Sequence, residues 1–193
     1  MLWPVYILNH MSPSGGSIVH PHAQVLVESE PLPVQQVVMK RSRDYFARIG
    51  REYWNHLLAS ERALGDRFVY ENEYLGVVAS YAPRGFNELQ FVFKHVDCLA
   101  GLDGSGVLSF VDCLSRALRE YQELGVGSFN LVSFSGPMGG VGEHWRLTMK
   151  LISRPYPGLA SANDTGPFER LCNAWVIDTV PETLASRVRA LFR

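Results

Sequence analysis

The sequence predicts an α+β fold built on a largely antiparallel sheet. Three observations carry this: short apolar runs bounded by hairpin-type turns, helical periodicity confined to separate blocks, and glycine or proline at the boundaries between them. Of the residues, 47% are hydrophobic, and 18 Lys and Arg balance 19 Asp and Glu, so the chain has the means to bury a core. At 193 residues it should hide roughly 70% of the surface its unfolded form exposes.

Taken in order, residues 3–8 form a dense apolar and aromatic run and predict a buried strand. Termini are ordinarily polar and exposed, so a core strand this early suggests a chain that begins inside a domain. Residues 11–16 have loop chemistry, and strand-like alternation resumes over 17–27. His20, Pro21, His22, Ala23 and Gln24 therefore lie on or at the start of a second strand, where His20, His22 and Gln24 share one face. Pro31 and Pro33 close it. Residues 34–64 read as one long amphipathic helix or two, with apolar positions at Val38, Tyr45, Ile49, Tyr53, Trp54 and Leu57, stopped by Gly65 and Asp66.

Strands are predicted over 68–70, 74–81 and 89–94, separated by Glu71-Asn72-Glu73 and Ala82-Pro83-Arg84-Gly85. Ser105 is positioned to cap a helix that runs to about residue 124 and ends at Gly125. Strands at 129–134 and 144–152 flank a glycine-rich loop, 135–142, and 155–166 is a further loop. The last helix opens at Thr179-Val180-Pro181-Glu182, which reads as a capping box with proline at the first helical position.

The charge balance gives no footprint for DNA or RNA, which demand clustered Lys and Arg. The one basic run, Lys40, Arg41, Arg43, Arg48 and Arg51, is interleaved with apolar residues at helical spacing and reads as a solvated helix face. No apolar run approaches the roughly 18 residues that span a bilayer, and the opening lacks a secretory pattern, so the expectation is a cytoplasmic protein without a membrane partner. Cys98, Cys113 and Cys172 are widely spaced and read as free thiols.

The chemistry concentrates in residues 9–24, NHMSPSGGSIVHPHAQ. A histidine with one ring nitrogen unprotonated is a nucleophile near neutral pH, and a hydrogen bond from the other ring N–H to a carbonyl fixes that tautomer. A glutamine amide on the same face can donate to a phosphate oxygen as charge builds. Gly15 and Gly16 let backbone N–H groups approach an anion, and Ser17 adds a hydroxyl, together a phosphate cradle. Core packing does not select such a loop followed by two histidines and a glutamine.

This stretch resembles the active-site signature of the galactose-1-phosphate uridylyltransferase family, a branch of the histidine-triad superfamily, matching at Asn9, Gly15, Gly16, Ser17, His20, Pro21, His22 and Gln24. The resemblance implies a histidine-triad-like antiparallel sheet with flanking helices: residues 1–64 as the end of an incomplete first half with the connecting helix, and 65–193 as a second half. It implies a nucleotidyltransferase of carbohydrate, specifically galactose, metabolism that acts through a nucleotidyl-His22 intermediate, with Gln24 as the second catalytic residue. Asn9, Gly15, Gly16 and Ser17 would contact substrate phosphate. Nucleotide sugar and sugar 1-phosphate are the implied partners, and a homodimer the implied assembly.

In some members the first histidine of the pair completes a structural zinc site with two cysteines and a histidine earlier in the chain, which gives His20 a metal role; no cysteine precedes His20 here. Weaker similarity covers 68–73, 79–88 and 130–137, and departs after His144-Trp145, where Arg146 to Lys150 replace a second histidine pair. A lone His144 beside tryptophan reads as a hydrogen-bonded structural residue. Phe168-Glu169 and Pro181-Glu182 resemble the ADP-sugar phosphorylase branch. The alternatives are thus an ADP-sugar phosphorylase or nucleotide hydrolase using the same nucleophile, or a truncated, non-catalytic nucleotide-binding module. Acceptor contacts are expected from the loop at 135–142.

Overall fold

The computed structural model describes residues 1–16, 18, 20, 22–154 and 165–192, without the side chain of Arg170. Strands β1 (Trp3–His10) and β2 (Ala23–Glu28) are followed by helices α1 (Pro33–Ile49) and α2 (Tyr53–Leu64). Then come β3 (Phe68–Glu71), β4 (Leu75–Ala79), β5 (Phe86–Phe93), α3 (Gly104–Glu123), β6 (Ser128–Phe134), β7 (Thr148–Arg154), the short α4 (Pro167–Leu171) and α5 (Pro181–Ala190). The described strands make one sheet in the order β2-β1-β6-β7-β5-β4-β3, with every neighbouring pair antiparallel. The expected α+β class with an antiparallel sheet and flanking helices is what the chain adopts.

Strand alternation divides the side chains between two layers. Leu75, Val77, Leu89, Phe91, Leu131 and Leu151 meet Phe110, Cys113, Ala117 and Tyr121 of α3 and Leu184 and Val188 of α5, forming the main core. Burial holds the Cys113 thiol up at about 12, so it is an inert apolar group. The opposite face carries a smaller cluster in which Val78 and Val92 pack on Met39 of α1, on Trp54 and Leu58 of α2, and on Trp145. Gly76 permits this approach, because a Cβ there would lie 2.5 Å from a Leu58 methyl.

The block at 34–64 resolves into two helices. Gly50 takes a left-handed φ of 69° and donates its N–H to Phe46, and Glu52 restarts the helix by accepting from the N–H groups of Trp54 (2.6 Å) and Asn55 (2.8 Å). The cap of α3 is Asp103, which accepts from Gly106 N–H at 2.7 Å, rather than Ser105, which already lies inside the first turn. No capping box forms at α5. Val180 is the cap, one position later than the sequence pattern requires, and Glu182 instead pairs with Arg67 at 3.0 Å.

The strand expected to start at 144 starts at Thr148. Trp145 and Leu147 are fully buried, which explains the misleading alternation. Leu147 exchanges main-chain bonds with Val96 and Phe93 as a covered connection ahead of the strand. Most of the loop expected at 155–166 lies outside the described residues. Among those described, no helix is long and apolar enough to cross a membrane.

Candidate active site

The motif occupies the end of the β1–β2 hairpin. A 3₁₀ turn at Ser12–Ser14 leads from β1 to Gly15, whose φ of 88° is left-handed and whose N–H is donated to Ser12 O at 3.0 Å. Gly16 is required by proximity, since a Cβ there would sit 3.0 Å from Met11 O and 3.2 Å from Asn9 O. Gly15 thus serves the turn with its conformation and its N–H together. Ser17 lies outside the described residues.

Strand register sets the functional side chains on one face. Gln24 pairs with Ile7 and Ala23 with Leu8, so His22, one residue before β2, falls on the side of Asn9. Asn9 in turn pairs with Asn130 of β6. The Asn130 amide N–H group donates to Asn9 Oδ1 at 2.6 Å and to Ser14 O at 2.9 Å, while its Oδ1 accepts from Arg154 Nη1 at 3.1 Å. Because Asn130 occupies Asn9 Oδ1, the remaining valence that Asn9 directs outward is its own amide N–H.

His22 is half-buried, and its Nδ1 lies 3.1 Å from the carbonyl oxygen of His20. A carbonyl only accepts, so Nδ1 carries the proton and Nε2 keeps its lone pair. Gln24 is exposed along the edge of the sheet.

Asn130 and Arg154 are the site residues that sequence reasoning missed. They lie more than a hundred residues from Asn9 and reach it only through the β1–β6 pairing. Asn130 within β6 and Arg154 at the end of β7 stand among other polar residues of the same strands, so nothing in the local pattern singled them out.

The loop at 135–142 is held elsewhere. Gly136 and Val141 donate to Asp97, and Met138 donates to Leu2, so the loop lies at the start of β1. Four residues of β6, 131–134, separate it from Asn130, about 17 Å at strand rise, which removes it from His22 within this chain. His144 accepts from the Ser42 hydroxyl through its carbonyl, but its Nε2 has no partner among the described residues. Burial, reinforced by Arg43 and opposed by Asp97, holds the His144 pKa below the ordinary imidazole value.

His20 is exposed, its ring centroid 5.7 Å from that of His22. No group of three His, Cys, Asp or Glu side chains among the described residues can hold a metal ion. The described part of this chain therefore does not make a zinc site by itself.

No family model matches the sequence. An uncharacterized protein of Archaeoglobus fulgidus is 26% identical over 204 residues, which cover 96% of this chain and 55% of that protein. Among solved structures, a uridylyltransferase superposes with a TM-score of 0.85 at 18% identity, covering 98% of this chain and 60% of its own. A GalT-like protein from Arabidopsis thaliana gives 0.81 at 16% identity, again over 98% and 60%. An ADP-glucose phosphorylase from the same plant, bound to ADP-glucose, gives 0.79 at 16% identity, over 98% and 59%. The chain has the fold of these proteins and spans somewhat more than half of their length.

Proposed function

We propose that this chain carries the nucleophile of a nucleotidyltransferase and that His22 forms a covalent nucleotidyl intermediate. The observation behind the reading is the His22 Nδ1 contact to the His20 carbonyl, which leaves Nε2 as the free lone pair on the face shared with Asn9 and Gln24. In the first step Nε2 attacks the α-phosphorus of a nucleoside diphosphate sugar. The bond from that phosphorus to the bridging oxygen breaks, and sugar 1-phosphate leaves. The ring becomes positively charged, and the His20 carbonyl stabilises it through the Nδ1 proton. Gln24 and the Asn9 amide donate to the non-bridging oxygens as negative charge grows. A phosphate oxygen of the acceptor then attacks phosphorus, the P–N bond breaks, and neutral imidazole returns.

A sugar 1-phosphate acceptor makes the protein a uridylyltransferase of galactose metabolism, and inorganic phosphate makes it an ADP-sugar phosphorylase. The division into an incomplete first half, 1–64, and a second half, 65–193, belongs to the same reading, as does a homodimeric assembly. Zinc at His20 would draw its other donors from outside the described residues, and no step depends on it.

The test incubates the full-length protein with UDP-glucose and with ADP-glucose and follows intact mass. One nucleotidyl adduct, labile to acid, stable to base and mapped to His22, is expected. An adduct retained in His22→Ala, or none with either donor, overturns the reading. Discharge of the adduct by galactose 1-phosphate or by inorganic phosphate then identifies the acceptor.

A further inference from the structure

Between α1, α2 and the sheet lies a cleft of about 1110 Å³. It shares Asn130 with the site above, but His22, Gln24 and Asn9 do not line it. Glu88, Gln90 and Lys150 lie on its floor, and Tyr53, Trp54 and Trp175 on its walls. Its volume slightly exceeds the usual range for small-ligand sites, about 300–1,000 Å³, and is too large for a single inorganic ion.

The polar groups of the floor differ in how well they are satisfied. Lys150 lies 2.6 Å from Glu88 Oε1, which also accepts from Ser80 at 2.6 Å, and Glu88 Oε2 accepts from Arg84 N–H at 2.7 Å. That group closes on itself. Gln90 does not. It pairs with Val78 on one side and Lys150 on the other, so it projects from the sheet on the cleft side. It is only 6% exposed, and its Nε2 has no acceptor among the described residues. Trp54 on the adjoining wall is 5% exposed, and its Nε1–H is likewise unmet. Native proteins rarely leave covered donors without partners, and both of these residues line the one cleft.

The charges are arranged differently. Among the lining carboxylates, Asp44 pairs with Lys40 at 3.0 Å, Glu61 with Arg67 at 2.9 Å, and Glu88 with Lys150. Arg41 and Arg48, exposed on α1 where it borders the cleft, make no close ion pair among the described residues, and Arg41 acts on Asp44 only through its field. The cleft thus combines aromatic walls, covered donors without partners and exposed guanidinium groups at its rim.

We propose that this cleft is a second ligand site, separate from His22, that takes a nucleoside phosphate. The base enters between the aromatic walls and gives its ring acceptors to Gln90 and Trp54, and the phosphate meets Arg41 and Arg48. A sugar phosphate satisfies the arginines but leaves the aromatic walls uncovered. The proposal stands independently of the reaction assigned to His22.

The test is calorimetric titration of the full-length protein with AMP, UMP, adenosine and ribose 5-phosphate, using wild type, His22→Ala, Gln90→Leu and the double variant Arg41→Ala, Arg48→Ala. AMP or UMP should still bind His22→Ala, with quenching of tryptophan emission, and the cleft variants are compared in that background, where the His22 site cannot form its adduct. Gln90→Leu should weaken that binding roughly tenfold. The exposed arginine pair, whose removal leaves the core intact, should weaken nucleotide binding and spare adenosine, and this arm decides if Gln90→Leu does not fold. Failure of both nucleotides to bind, binding indifferent to both cleft variants, or ribose 5-phosphate binding as tightly as AMP would each overturn the proposal. Labelling of His22 is read separately, so either idea can fail alone.

Discussion

An imidazole whose Nδ1 proton is held by a main-chain carbonyl has one lone pair to offer, and the neighbours of His22 determine what that lone pair can do. In the proposed reaction Gln24 would matter most when phosphate charge is greatest. Gln24→Ala should therefore lower kcat by about 10²-fold or more while changing KM much less, as for a lost oxyanion donor. Steady-state kinetics check this, and a change confined to KM would contradict it. His144 gives a prediction of another kind. Its pKa is lower folded than unfolded, so its contribution to stability is complete above the unfolded value of about 6.5 and is lost as pH falls toward the folded value. The urea midpoint should fall on going from about pH 7.5 to about pH 5, and His144→Gln should flatten that fall. At this scale the sequence was informative where neighbours in the chain are neighbours in space. The motif is local. Asn130 and Arg154 were missed because antiparallel pairing across the whole chain brings them to Asn9.

The elements owe their limits to single residues with identifiable roles. Apolar spacing located the helical block at 34–64 and left one helix or two open, and the break needed the left-handed Gly50 and the Glu52 cap together. Caps were harder to place than helices. Ser105 and Thr179 have capping chemistry, yet Asp103 and Val180 occupy the cap positions, because a shift of one or two residues in helix start costs little beside tertiary packing. The contact of α2 with β4 is stricter. Gly76→Ala drives a methyl into Leu58, which is 2% exposed and has little room to move, so the change should cost about 1–3 kcal/mol of stability. Combined with Leu58→Val, part of that loss should return as a coupling energy of about 0.5 kcal/mol or more. Urea denaturation of the two single variants and the double gives the cycle, and strict additivity would show that the glycine serves some other purpose.

Across the whole molecule, cover is distributed unevenly over the sheet. From β6 to β4 the strands are buried by α3 and α5 on one face, whereas all six residues of β2 are exposed at the sheet edge. Three consecutive apolar side chains stand there in water: Val25 at 63%, Leu26 at 43% and Val27 at 54% exposure. The sequence reading expected an apolar edge near the first strand. The structure shifts that edge outward, since β1 is paired on both sides and β2 presents the open one. An uncapped strand of this composition is a template for pairing with another chain. The 193-residue polypeptide made by itself should therefore self-associate in a concentration-dependent way. Val25 and Val27 lie opposite Tyr6 and Pro4, on the face away from Gln24 and Leu26, so replacing both valines with lysine charges the edge while leaving the motif face untouched. Sedimentation velocity over a concentration series should show the double variant shifted toward monomer relative to the parent chain. A parent chain already monomeric at every concentration would mean that the exposed strand is harmless as it stands, and a variant that associates equally well would place the contact elsewhere on the surface.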